Sequence, residues 1–104
     1  MRKLTTLLAV TALLAAIGAA SAFGATKIVK WHVPTSSTVK IAKGGTIKWV
    51  WTDGAPHNVK GSGFKSKTIA KKGYAYSHTF KTKGTFKVIC QVHPSTMKTV
   101  VKVG

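Results

Sequence analysis

The stretch Cys90-Gln91-Val92-His93-Pro94-Ser95-Thr96-Met97 puts a thiol, an imidazole and a thioether within one short segment, and a second imidazole stands upstream in Asp53-Gly54-Ala55-Pro56-His57-Asn58-Val59. Cys90 is the only cysteine of the chain, so it forms no internal disulfide. In an exported chain an odd cysteine implies an intermolecular bond, a reactive thiol or a metal ligand. Its neighbours favour the ligand. Two imidazoles and a thiolate in a trigonal array, with a weak axial thioether, suit copper in both of its common oxidation states. Cu(I) favours soft sulfur and few ligands, whereas Cu(II) alone favours a tetragonal site. A scaffold that lets neither state rearrange moves an electron with little nuclear motion. His57, Cys90, His93 and Met97 are therefore the candidate metal ligands, and the chemistry they imply is one-electron transfer at a single copper ion.

Such a site needs elements that bring residues 57 and 90–97 to one point. The pattern after residue 23 is β throughout. The clearest strand is 46–51, where Ile47, Trp49 and Trp51 share one face and Lys48 and Val50 the other. Further strands are expected over 27–33, 38–41, 57–60, 68–70, 74–80, 85–90 and 98–103, with breaks at 34–37, Gly44-Gly45, 53–56, Gly61-Ser62-Gly63 and Lys71-Lys72-Gly73. Seven to eight short strands separated by turns, without helical periodicity, predict an all-β Greek-key sandwich. Loops gather at the ends of a sandwich, so the loop before His57 can supply a ligand to the loop after Cys90. Trp31, Trp49, Trp51, Tyr74, Tyr76, Phe80 and Phe86 read as core. His32 and His78 lie inside strand patterns without cysteine neighbours and read as surface or hydrogen-bonded histidines.

The first residues read differently. Arg2 and Lys3 precede an apolar run from Leu4 to Ala20, and Ala20-Ser21-Ala22 offers a small-x-small cleavage pattern. This is the layout of a secretory signal peptide over residues 1–22, preferred to a membrane anchor because no basic stop-transfer flank follows. The expected product is a single domain over 23–104, exported to the periplasm or the extracellular space. At that size a metal cross-link adds usefully to a modest core.

Charge bounds the partners. The full chain carries 17 basic residues and 1 acidic residue; without Arg2 and Lys3 there remain fifteen lysines, no arginine and Asp53, a net of +14. Such a field attracts anionic surfaces. It implies redox partners with acidic docking faces and at most a weak attraction to anionic membrane surfaces. Nucleic acid is not implied: two-pronged recognition of phosphate and guanine favours arginine, and the lysines are dispersed. One carboxylate makes no acid/base dyad, and there is neither a P-loop nor a dinucleotide fingerprint. No enzyme is implied. A copper storage or delivery module is the alternative, weakened because the chain after residue 22 has one Met and one Cys, where exchangeable sites are rich in either.

These motifs together resemble the cupredoxins of the plastocyanin, amicyanin and halocyanin group. Gly44-Gly45-Thr46-Ile47-Lys48-Trp49 is similar to the strand before the first ligand, Asp53 to Val59 to the first-histidine motif, and His78-Thr79-Phe80, Gly84-Thr85-Phe86 and Cys90 to Met97 to the strand pair and ligand loop. Trp49-Val50-Trp51-Thr52 before the first-histidine motif is closest to the halocyanin style. The resemblance implies a monomeric electron carrier with His57, Cys90 and His93 as equatorial ligands and Met97 as the axial one. It implies that Asn58 holds the two ligand loops together. It further implies that His93 is the electron's exit, ringed by Gly54, Ala55, Pro56, Val92 and Pro94. The chain departs from plastocyanins in having Ile89 before the ligand cysteine, three residues between His93 and Met97, and lysines where plant-type members carry an acidic patch.

Overall fold

The computed structural model describes residues 24–104; the expected leader over 1–22 lies outside them. Among the described residues there is no helix, and eight strands form two sheets. They are β1 (Thr26–Trp31), β2 (Thr35–Ile41), β3 (Thr46–Trp51), β4 (Lys60–Gly61), β5 (Phe64–Lys65), β6 (Ala75–Thr79), β7 (Gly84–Ile89) and β8 (Met97–Val103). One sheet has the order β1-β3-β6, the other β2-β8-β7-β4-β5. The expected all-β sandwich is what the chain forms.

Alternation decides which faces meet. On β3, Ile47, Trp49 and Trp51 are buried while Lys48 is exposed; on β8, Met97, Thr99, Val101 and Val103 point inward. The two inner faces also meet through a polar contact, since the Trp49 indole N–H donates to the buried Thr99 hydroxyl at 3.3 Å. A buried indole without a partner would cost free energy, so this bond lets a large side chain fill the core without penalty.

Three expectations on the strands are corrected. Of 57–60 only Lys60 lies in a strand, where it joins Gly61, expected as a break, to form β4. Residues 35–37 were expected to break the chain after Pro34, yet they begin β2, whose parallel register pairs Thr35 with Met97 and Ile41 with Val103. Residues 68–70 form no strand; only an isolated bridge joins Ile69 to His57. Between these lies a hairpin of two two-residue strands, β4 and β5, turned by Ser62-Gly63 with Gly63 at φ +82°. That conformation suits glycine because it has no Cβ.

The hairpin delivers Phe64 into the core beside His78. Their rings stack with centroids 3.8 Å apart and planes 15° apart, and Phe80 meets His78 edge-on at 4.8 Å. His78, expected as a surface or hydrogen-bonded histidine, instead serves as an aromatic wall piece between the sheets. Burial disfavours its charged form and lowers its pKa below the ordinary 6.5. The unfolded chain therefore binds a proton more readily than the folded one. Stability is fully present above the unfolded value and declines as pH falls from there through the folded one. In urea unfolding of the copper-loaded protein from about pH 8 to about pH 5, His78→Phe is expected to show a smaller acid loss than the unaltered chain. Equal losses would show that the stack carries no pH dependence.

Candidate metal centre

Cys90 directly follows β7 and Met97 opens β8, so the segment between them is the connection of an antiparallel pair. Ile89 faces Lys98 in the ladder, and the Cys90 amide donates to the Met97 carbonyl at 3.1 Å, extending the pairing one step. Directly opposed residues put their side chains on the same face. That places both sulfur side chains on the core side, and both residues are fully buried. The loop closes on itself because the amides of Thr96 and Met97 both donate to the His93 carbonyl, at 3.1 and 3.0 Å.

The other ligand segment is held by the core. The His57 amide donates to the Ile69 carbonyl at 3.0 Å and the Ile69 amide returns a bond to the His57 carbonyl at 2.9 Å. The Trp51 indole donates to the same Ile69 carbonyl at 2.8 Å, and the Trp31 indole to the Asn58 carbonyl at 3.0 Å. Tryptophans that read as core are therefore also clamps on the first-ligand segment. Asn58, 3% exposed, joins the two loops: its side-chain Nδ2 donates to Gln91 Oε1 and its side-chain Oδ1 accepts from the Gln91 backbone N–H, each at 2.8 Å.

The clamps bring three of the candidate ligands to one point. His57 Nδ1 lies 3.9 Å and His93 Nδ1 3.8 Å from Cys90 Sγ, and all three donor atoms lie within 4.8 Å of one another. An ion bound to nitrogen at about 2.0–2.1 Å and to sulfur at about 2.3 Å, in a trigonal plane, holds N and S roughly 3.8 Å apart. The spacing fits a shared metal ion. A thiolate with two imidazoles and a buried thioether is also a donor set for copper rather than for magnesium or calcium.

One participant was missed in the sequence. Asp53, read only as a turn residue, places Oδ1 2.6 Å from His57 Nε2. The same carboxylate accepts from the backbone N–H of Val33 at 3.1 Å and of Ala55 at 3.2 Å. Burial would raise its pKa, but the bonds from His57 and the two amides outweigh that effect and hold it below the usual value. The signal was present as a carboxylate four residues before His57, and nothing local says that the loop curls far enough to use it.

The surface over the centre differs from the rest of the molecule. Residues 31–39, 49–59 and 88–97 contain no lysine, although lysines flank all three segments. Among the described residues, Val33 and Val92, at 38% and 43%, are two of the three exposed large hydrophobic residues, and Pro34, Pro56 and Pro94 are exposed in the same loops. His93 is partly exposed while His57 is completely buried.

The comparisons agree with this chemistry. A family profile described as copper binding proteins, plastocyanin/azurin family, matches residues 32–104. No curated protein matches the chain in sequence. Among solved structures, a purple cupredoxin from Nitrosopumilus maritimus is similar at 28% identity, with 64% of this chain and 77% of that one covered and a TM-score of 0.58. Two amicyanin variants in the Cu(I) form are similar at 30% and 32% identity. They cover 76% and 79% of this chain and 82% and 83% of their own, with TM-scores of 0.60 and 0.58. A buried cysteine sulfur and two imidazoles at metal spacing, on a two-sheet scaffold matched over residues 32–104 by this family's profile, leave one conclusion: the chain belongs to the plastocyanin/azurin family of copper-binding proteins, the cupredoxins.

Proposed function

We propose that this protein is a small exported electron carrier in which His57, Cys90, His93 and Met97 hold one copper ion of the type 1 kind. The observation that carries the reading is the convergence of His57 Nδ1, Cys90 Sγ and His93 Nδ1 within 4.8 Å. Copper in such a site supplies a reversible one-electron couple. The rest belongs to the chain. Cys90 and Met97 are fixed across one strand pair, and His57 is pinned by its bridge to Ile69 and the indole clamps. His93 offers the partly exposed ring through which an electron leaves or enters. A saturated ligand set leaves no position for a substrate, so the reading includes no reaction of the protein's own. Complete burial of Cys90 also argues against a site built to hand copper on.

The lysine-free loops around the partly exposed His93 are the docking face of this reading, and the lysines that flank them steer the approach. The partner is a redox protein with an acidic surface, the working form is a monomer, and residues 1–22 direct export before removal. Brief contacts through apolar residues with steering by charge give fast exchange without a long-lived complex. In stopped-flow exchange between the copper-loaded protein and an acidic redox protein, the rate constant should fall as salt rises, because the Debye length shrinks from about 10 Å at 0.1 M to about 3 Å at 1 M. A rate indifferent to salt would remove the acidic partner from the reading. A loaded protein that cannot be reduced and reoxidised without losing its metal would remove the carrier role.

A further inference from the structure

The chain's single carboxylate sits where it has an unusual choice of partners. Fifteen lysines lie between residues 27 and 102, yet among the described residues the only side chain within salt-bridge distance of Asp53 is His57. Its three hydrogen bonds go to His57 Nε2, the Val33 amide and the Ala55 amide. The side chain is about one-third exposed, at 32%, while the imidazole it meets is completely buried. In a chain that could neutralise an acid almost anywhere, the only one is placed against a candidate ligand.

We propose that Asp53 is the positioning residue of the centre: it fixes His57 in the tautomer that turns Nδ1 toward the metal, and its charge biases the bound ion toward Cu(II). This rests on the copper reading above. An ionised carboxylate can only accept hydrogen bonds, so the proton between Asp53 and His57 belongs to Nε2. Nδ1 is then the free lone pair, and it is Nδ1 that lies toward Cys90 Sγ at 3.9 Å. A carboxylate behind a ligating imidazole orients the ring and makes the nitrogen facing the metal more basic. A more basic ligand with a negative charge behind it favours the higher oxidation state. The lysines act in the opposite sense. They are solvated and screened over about 8–10 Å, whereas Asp53 acts through a 2.6 Å bond to a buried ring. Proximity lets one carboxylate outweigh much of the surrounding positive charge. The bond to Val33 also ties the β1–β2 loop to the first-ligand segment, so the same side chain fixes the ring's backbone frame.

The test uses the full chain loaded with copper. Asp53→Asn removes the charge at nearly constant shape. It should keep the visible copper band but lower the ratio of Cu(II) to Cu(I) affinity at least tenfold, a rise in reduction potential of about 59 mV or more. Asp53→Glu should bring the potential back toward that of the unaltered protein. Lys48→Gln, a charge change on the outer face of the sheet, should move it far less. A potential unmoved by Asp53→Asn, or moved equally by Lys48→Gln, overturns the proposal. Should the Asp53 variants fail to fold, nitrogen NMR of the unaltered copper-free protein, in which no metal sets the tautomer, decides alone: a proton on Nε2 of His57 supports it, and a proton on Nδ1 overturns it. An unaltered protein with no visible copper band would instead defeat the copper reading itself.

Discussion

Replacing Cys90 by serine is expected to abolish the strong visible absorption of the copper-loaded protein and to weaken copper binding by more than the roughly 10–100-fold that loss of a partner behind a ligand costs. The absorption comes from charge transfer between thiolate and Cu(II), so it disappears with the sulfur whatever else binds. The affinity falls because a hard, neutral hydroxyl replaces a soft anion in the plane of the two imidazoles. The fold is expected to survive. Cys90 is fully buried, and a stranded hydroxyl there would cost about 1–3 kcal/mol. That cost is smaller than the roughly 5–15 kcal/mol by which a folded domain is stable. Copper titration followed by absorption and paramagnetic resonance, with circular dichroism to confirm the fold, checks this. A variant that keeps both the colour and the affinity would place the metal elsewhere.

How much of this centre is readable in advance depends on the range of the contacts that build it. Cys90, His93 and Met97 are legible because one turn between two strands holds them, and His57 because Pro56 and Asn58 flank it in a familiar arrangement. The strand Thr46–Trp51 is legible to the residue, since alternation of Ile47, Trp49 and Trp51 with Lys48 is a local property. Thr35–Ser37 is not. Three small hydroxyl residues after a proline have no strand pattern of their own, and they become one only because Met97 to Thr99 lie alongside in parallel register. Phe64 was passed over for a related reason, because a hairpin of two-residue strands is too short to show a period. Asp53 and Gln91 illustrate the same limit at the site. Each looks like an ordinary loop residue, and its role exists only once residues 32–34, 53–58 and 90–97 are folded to one tip.

The second large effect is expected at that junction. Asn58→Ala should destabilise the protein by about 1–3 kcal/mol for each buried group it leaves without a partner. It should also narrow the stability difference between copper-loaded and copper-free forms. Asn58 makes both of its 2.8 Å bonds to Gln91, one to the side chain and one to the backbone amide that follows Cys90. Truncation leaves that amide unmet and frees the start of the ligand loop from the segment carrying His57. The Trp31 indole still holds the Asn58 carbonyl, so the first-ligand segment itself should stay in place. The damage should fall on the loop that carries His93, whose fixed position is what makes copper binding favourable without further ordering. Gln91→Ala gives the contrast. It removes the acceptor of Asn58 Nδ2, but at an exposed position where water can replace Oε1, and it keeps the backbone amide bonded to Asn58, so it should cost clearly less. Urea unfolding of both variants, with and without copper, measures these differences. If Asn58→Ala lies within the ±0.5 kcal/mol typical of neutral surface changes, the two ligand loops are held by their strands alone and the Asn58 bridge is incidental.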